Sequence, residues 1–218
     1  MKKVLLFLFP CLLFFIVGCK PVNPPDSDEV SSVLNLCYSA MGQSGEKLQD
    51  DLADIGIDVP EIDSAGQYRC YKLNTKSYNL DFSTIDDVVV ILHYEILFKD
   101  TYVNGISKYW EISNQMIDHN WEEWLGSASG YYSIMNNVEQ RPEFINDITT
   151  IVASCNESHF SVYERAKTSL GANKMYATWE YCATDPSGMN PDTGEGLSSL
   201  YESSVMVDLE ISEDDYSL

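Results

Sequence analysis

The segment from Val88 to Phe98, VVVILHYEILF, is the feature that most constrains how this chain can fold. It is rich in β-branched and aromatic residues, which fit a pleated strand better than a helix. Successive side chains of a strand point to opposite faces. One face would carry Val88, Val90, Leu92, Tyr94, Ile96 and Phe98, and the other Val89, Ile91, His93, Glu95 and Leu97. The segment therefore predicts a strand near the centre of a sheet, with one face fully buried.

Three segments space their apolar residues three or four positions apart, which is typical of amphipathic helices. Residues 29–54 predict either two helices or one kinked helix, and residues 141–155 predict a shorter helix. Residues 106–125 predict a helix that ends at Gly126 and is followed by a loop over residues 126–132. The stripe of this helix would carry Ile106, Trp110, Ile117, Trp121 and Trp124.

The remaining patterned segments alternate apolar and polar residues, as half-buried strands do. They are residues 67–73, 160–165, 175–182 and 205–211, and the second and third of them flank a hairpin end at residues 171–173. The last strand would direct Val205, Val207, Leu209 and Ile211 inward and Met206, Asp208 and Glu210 outward. These elements predict an α+β fold, in which helices pack on one face of an antiparallel sheet.

The N-terminus has the three parts of an export signal. Two lysines follow Met1, an apolar run extends from Val4 to Gly18, and a cysteine comes next. The run is shorter than the roughly 20 residues that a membrane-spanning helix needs, which favours a cleaved signal peptide. The quartet from Ile16 to Cys19, IVGC, resembles the lipobox of bacterial lipoproteins, and this resemblance covers residues 1–20 only.

The lipobox resemblance implies an address and an anchor. Signal peptidase II would cut between Gly18 and Cys19, and Cys19 would carry a diacylglyceryl group and, in many species, a further acyl chain on its amine. Two or more chains hold a protein firmly on a bilayer. Lys20 stands where an aspartate favours inner-membrane retention, so the resemblance implies outer-membrane attachment. We expect a signal peptide over residues 1–18, a lipidated tether over 19–29 and one domain over 30–218.

Charge restricts the partners of the processed chain. Residues 1–18 hold two of the 13 basic residues and none of the 34 acidic ones, which leaves a formal net charge of −23. An acidic surface repels nucleic acid and attracts basic proteins. Solubility is the simpler explanation for such a charge, and we keep both interpretations open. We expect no nucleic-acid partner.

Four cysteines remain after Cys11 leaves with the signal peptide and Cys19 takes lipid. They are Cys37, Cys70, Cys155 and Cys182, and an even number in an exported chain predicts two disulfides. Three pairings exist, and we favour Cys37–Cys70 and Cys155–Cys182 because they close the shorter loops. The spacings contain no Cys-x-x-Cys pair, so we expect no zinc site.

Histidines mark two candidate sites. His93 and Glu95 share a face of the predicted central strand, and a carboxylate beside an imidazole can orient it for acid–base chemistry. The alternative, a structural histidine, is favoured because the spacing shows no nucleophile. His119 with Glu122 and Glu123 lacks the pattern of a helical metal site, and a solvated helix face explains these residues better.

Other sequence features also fall short of a recognisable site. Trp110, Trp121 and Trp124 could form a sugar-stacking platform, although aromatic residues at helical spacing are usually core. Residues 185–195 are rich in oxygen ligands but do not match a calcium-binding loop. Ser44 is better explained as a helix cap than as a nucleophile.

These observations support three functions in decreasing order. The first is a lipid-anchored domain of the bacterial envelope that acts as a protein-interaction or inhibitor module for a basic envelope or secreted protein. The second is a carbohydrate-binding surface protein, and the third is an envelope hydrolase that uses His93 or His119. Because no catalytic motif is recognisable, we expect no catalytic residue, no metal and no cofactor.

Overall fold

The computed structural model describes residues 27–130, 134–154, 159–184 and 201–212. Its helices are α1 (Ser27–Ala40), α2 (Gly45–Asp54), α3 (Tyr102–Ile117) and α4 (Arg141–Ser154). Its strands are β1 (Glu61–Ala65), β2 (Tyr68–Asn74), β3 (Tyr78–Ile85), β4 (Val88–Asp100), β5 (Glu123–Gly130), β6 (Ile134–Val138), β7 (His159–Leu170), β8 (Asn173–Thr184) and β9 (Tyr201–Ser212). The described strands form one antiparallel sheet, which confirms the predicted α+β class.

The strand order relates the two halves of the chain. The order is β1-β2-β3-β4-β9-β8-β7-β5-β6, so the last strands of the two halves, β4 and β9, pair antiparallel at the centre. In the first half, α1 and α2 precede the four consecutive antiparallel strands β1 to β4, and in the second half α3 precedes β5, β7, β8 and β9. The second half differs because β6 and α4 are inserted between β5 and β7. Each half is thus a helical segment followed by a four-stranded meander.

All four helices pack on one face of the sheet, which we call the covered face. Tyr94 of β4 pairs with Val207 of β9, which pairs with Trp179 of β8, and all three side chains are buried. These residues belong to one hydrophobic cluster with Cys37 of α1 and Tyr109 of α3. The opposite face, which we call the open face, carries no helix among the described residues.

A bulge in β4 changes the predicted alternation of this strand. Thr84 of β3 pairs with Val89 and Ser83 pairs with Ile91, so Val90 is an extra residue opposite the bond between them. Val89 is therefore on the covered face with Leu92, and both are fully buried. Val88 is 39% exposed. The prediction that Val88 shares a face with Leu92 is wrong, because one inserted residue reverses the side on which every earlier residue of the strand points.

The predicted helix over residues 106–125 is wrong at both ends. Thr101 caps α3 by accepting a hydrogen bond from the amide of Asn104, and the helix already ends at Ile117. Glu123 then begins β5, which pairs with β7 over the whole of the predicted loop that the structure describes. Pairing with a strand some forty residues away overrides the local helical pattern.

Several other predicted elements are confirmed. Residues 29–54 form two helices, separated at Gly42, whose φ of 75° favours glycine. Ser44 caps α2 through its side chain, which accepts from the amide of Lys47. The predicted strands and helix at β2, α4, β7, β8 and β9 are also present, whereas β1, β3 and β6 had no prediction.

The predicted disulfide between Cys37 and Cys70 is wrong. Cys37 is buried between α1 and the covered face, whereas Cys70 pairs with Ser83 on the open face, so the sheet separates the two thiols. Cys182 is also a free thiol, and its predicted partner Cys155 lies outside the described residues. The described residues therefore contain no disulfide.

Residues 1–26 lie outside the described residues, and with them the predicted signal peptide, Cys19 and most of the tether. The turn-rich loop over residues 185–196 also lies outside them. Among the helices that the structure describes, none combines the length and the apolar character needed to cross a bilayer.

Candidate functional site: the open face of the sheet

The strand register brings His93 into a row of polar side chains on the open face. Residues directly opposite each other in an antiparallel pair share a face. His93 of β4 pairs with Asp81 of β3 on one side and with Asp208 of β9 on the other. Lys72 of β2 extends the row, since its ammonium group lies 2.7 Å from a carboxylate oxygen of Asp81.

His93 has a carboxylate partner, but not the one that the sequence predicted. Its Nδ1 lies 2.7 Å from Oδ1 of Asp208, whereas Glu95 accepts a hydrogen bond from the side chain of Asn79 at 2.7 Å. The hydrogen bond to Asp208 raises the pKa of His93. Partial burial lowers this pKa, and the charges of Asp81 and Glu95 raise it. The carboxylate of Asp208 therefore stabilises the protonated form of the His93 ring.

The open face is rich in carboxylates. Asp208 and Glu210 alternate outward along β9, and the side chain of Asp208 is 55% exposed. The register places further carboxylates on this face at Asp81, Glu95, Glu180 and Glu202. Basic side chains on the face include Lys72, Arg165 and Lys167. Two apolar side chains, Val88 and Ile91, are 39% and 40% exposed beside the carboxylates.

The thiol of Cys182 on the open face is not an activated nucleophile. Cys182 of β8 shares the face, but burial raises its pKa and the nearby carboxylates of Glu180 and Glu95 raise it further. A reactive cysteine needs the opposite environment, because the thiolate is the nucleophile. On the covered face, burial raises the pKa of Cys37 to about 12.

The three candidate tryptophans do not share a helix stripe, since Trp110 lies on α3, Trp121 in the following loop and Trp124 on β5. All three are partly buried and packed against the core. The ring of Trp110 meets that of Phe144 edge-on at 6.1 Å, and Trp124 meets the same ring at 5.7 Å. The indole nitrogen of Trp121 donates to the carbonyl of Met116 at 2.6 Å. This placement favours a packing role over sugar stacking.

His119, Glu122 and Glu123 point to different partners. The His119 ring stacks on that of Tyr38 at 3.4 Å, and burial lowers its pKa. Glu122 accepts from the amide of Ser169, and Glu123 lies 3.1 Å from the ammonium group of Lys167. Within the described ranges no three residues of metal-binding type converge.

A buried carboxylate on the covered face was missed by the sequence analysis. Glu164 of β7 is fully buried, and its Oε1 accepts from the hydroxyl of Tyr109 and the indole of Trp179, both at 2.9 Å. The hydroxyl of Ser113 donates to the same oxygen. Burial, followed by the charge of Glu164, raises the pKa of Tyr109 well above its usual value, so this phenol stays protonated and donates.

The second oxygen of Glu164 is equally occupied. Its Oε2 accepts from the indole of Trp124 at 2.8 Å and from Nε of Arg141 at 3.0 Å. Arg141 also donates to Ser113 and Asn114 of α3 at 2.7 and 2.9 Å. Five donors from α3, α4, β5 and β8 thus converge on one carboxylate, which suits a structural lock and leaves no free position for a substrate.

One signal in the sequence could have identified Glu164. Phe160, Val162 and Ala166 alternate inward along β7, and Glu164 occupies the inward position between them. A carboxylate at an inward position of a strand needs hydrogen-bond donors around it. Tryptophan and arginine side chains can donate such bonds, so the tryptophans and Arg141 were candidate partners.

No protein-family model matches this chain, and no curated protein is similar to it in sequence.

Proposed function

We propose that this chain is a bacterial envelope lipoprotein whose domain is a protein-interaction or inhibitor module. Lipid on Cys19 anchors it, residues 19–29 act as the tether, and the outer membrane is its location. The domain binds a basic envelope or secreted protein through the open face. The observation that carries this proposal is the row of outward carboxylates on β9, on the face that the described helices leave uncovered.

The chemistry of the open face suits a protein partner. Exposed carboxylates at Asp208 and Glu210 would meet lysines or arginines, and complementary charge mainly raises the association rate. Val88 and Ile91 add exposed apolar area beside them, which an interface core requires. Among the described residues of this face, the His93 ring is held by Asp208 and the Cys182 thiol has a raised pKa.

A crosslinking experiment tests which face binds. A photo-reactive amino acid replaces Thr178, which the register places in the middle of the open face, or Glu111, which is exposed on α3. We expect crosslinks to a basic envelope protein from position 178 and none to that protein from position 111. Crosslinks from position 111 alone would reject the open face as the binding site.

Charge variants test the electrostatic part on the partner so identified. Asp208→Asn with Glu210→Gln is compared with Asp50→Asn with Asp54→Asn, which removes equal charge from α2. We expect the open-face pair to slow association about tenfold or more at low salt, and the α2 pair to have a smaller effect. Equal effects would mean that only total charge matters.

The anchor has a separate test, so its failure is distinguishable from failure of the binding site. Mass spectrometry of the chain expressed in a bacterial host should show a chain that begins at Cys19 and carries acyl groups. Cys19→Ser should abolish acylation and release the domain from membranes. An unacylated wild-type chain would overturn the assigned location but not the open face.

A further inference from the structure

A notch lies where β4 extends beyond its neighbour β3. β3 begins at Tyr78, opposite Ile96, whereas β4 continues to Asp100 and pairs there only with β9. The amide of Leu97 donates to the carbonyl of Ser77 at 2.7 Å, and no described residue continues this pairing. A cavity of about 520 Å³ opens at this point, and α3 contributes Lys108 to its wall.

Three lysines line this notch: Lys76, Lys99 and Lys108. Lys76 and Lys99 are exposed and form no ion pair with any residue that the structure describes. The other described cations are ion-paired, except Arg165, which lies over the ring of Tyr163. In a chain with 34 acidic and 13 basic residues, two unpaired lysines in one cavity are a marked departure from the surrounding charge.

The acidic side chains of the notch form no ion pair with these two lysines in the described part of the chain. Asp100 is compensated locally, because it accepts from the amide of Thr101 at 2.9 Å, from Asn104 at 2.8 Å and from Lys108 at 3.2 Å. Glu202 is exposed and lies opposite Lys99 in the register of β4 and β9, but no ion pair joins the two side chains. An anion entering the notch would therefore meet two ammonium groups that are not held by a carboxylate, with the charge of Glu202 nearby.

A buried hydroxyl in the notch is a second, independent sign of a ligand. Ser203 is 6% exposed and lines the cavity, and its Oγ has no hydrogen-bond partner within the described ranges. Buried hydroxyl groups almost always have a partner, since an unsatisfied one destabilises the fold. Beside it, Phe98 offers an aromatic ring, over which the ammonium group of Lys108 lies at 4.2 Å.

We propose that this notch binds a phosphate ester with an apolar part. The phosphate contacts Lys76 and Lys99 and accepts from the hydroxyl of Ser203, while the apolar part packs on Phe98, which lies opposite Ser203 on the same face. Lysine ammonium groups are common phosphate ligands, and several donors suit a group with at least three acceptor oxygens better than a carboxylate with two. The proposal does not depend on the protein partner proposed for the open face, although Lys99 and Glu202 of the notch lie at the end of that face.

Calorimetry with hexyl phosphate tests the site in the purified protein. Lys76→Gln with Lys99→Gln should weaken binding about tenfold for each lysine removed. The control, Lys47→Gln with Lys174→Gln, removes equal charge from lysines already paired with Asp51 and Glu122, and should leave the affinity unchanged. Ser203→Ala should weaken binding further. An unaffected affinity in the Lys76 and Lys99 variant, or an equal loss in the control, would overturn the proposal.

Vesicles identify the source of the phosphate. Sedimentation is compared between phosphatidylcholine vesicles with and without phosphatidylglycerol. Two proteins are used: the chain with Cys19→Ser, which has no acyl anchor, and the same chain that also carries Lys76→Gln and Lys99→Gln. Binding to phosphatidylglycerol that requires both lysines identifies a lipid headgroup. Binding of hexyl phosphate without vesicle binding identifies a soluble ester. Binding of neither would reject the site.

Discussion

The two faces of the sheet hold carboxylates in opposite environments. On the covered face, Glu164 is fully buried and accepts from five donors on four elements. On the open face, Asp208 is 55% exposed and is paired with His93. Both lie on strands of one continuous sheet, β7 and β9, which flank β8, so strand character alone does not explain the difference.

The difference separates structural charges from available ones. A buried carboxylate is expensive to desolvate, and it is tolerated only when donors surround it completely. An exposed carboxylate contributes little to stability because water screens it, and it remains available to a partner. Charge removed from the covered face should therefore destabilise the domain, whereas charge removed from the open face should alter binding.

The largest effect is expected from Glu164→Gln. The amide group of glutamine would present hydrogens to donors such as Trp124 and leave Arg141 without its carboxylate. We expect a loss of about 3–5 kcal/mol in the free energy of unfolding, measured by urea denaturation. The matched control, Asp208→Asn, should lose less than about 1 kcal/mol. Similar losses in both variants would remove the distinction between the two faces.

An intermediate effect is expected from Gly126→Ala, which tests the packing of the covered face without changing charge. A Cβ at position 126 would lie 2.8 Å from Cγ of the buried Phe144 ring on α4. We expect a loss of about 1–3 kcal/mol from overpacking, measured by thermal denaturation. Adding Phe144→Leu should restore part of the loss. No restoration would mean that the strain is in the backbone of β5.

The smallest effects come from the two histidines, and they should have opposite pH dependences. Since the pKa of His93 is raised by Asp208, its stabilisation is complete below the unfolded-state value of 6.5 and is lost as pH rises through the folded-state pKa. Burial lowers the pKa of His119, so the folded state is destabilised as pH falls below 6.5 towards its folded-state pKa.

Substitution separates the two cases. His93→Gln should reduce the free energy of unfolding more at about pH 5.5 than at about pH 8, and His119→Gln should do the reverse. Urea titrations at both values measure this, and NMR titration of the two imidazoles gives their pKa values directly. Parallel pH profiles would show that the environments of the two rings do not differ as described.

The spacing of apolar residues correctly predicted those helices and strands whose tertiary contacts favour the same secondary structure. The inward series Val205, Val207 and Leu209 placed β9 correctly, and the predicted antiparallel sheet with helices is present. The helical pattern around Trp121 and Trp124 failed, because β7 offers those residues a strand partner that the local sequence does not show. The predicted disulfide also failed because of tertiary structure, since the sheet separates Cys37 from Cys70.

The sequence by itself determined the class of fold, the central position of β4 and the acidity of the surface, because these follow from periodicity and composition. Only the tertiary structure decided which partners meet. Asp208 reaches His93 from a strand 115 residues away, and five separate segments supply the donors and acceptor of the Glu164 cluster. Local spacing fixes the direction of a side chain within its own element, whereas the residue opposite it depends on strand order and register.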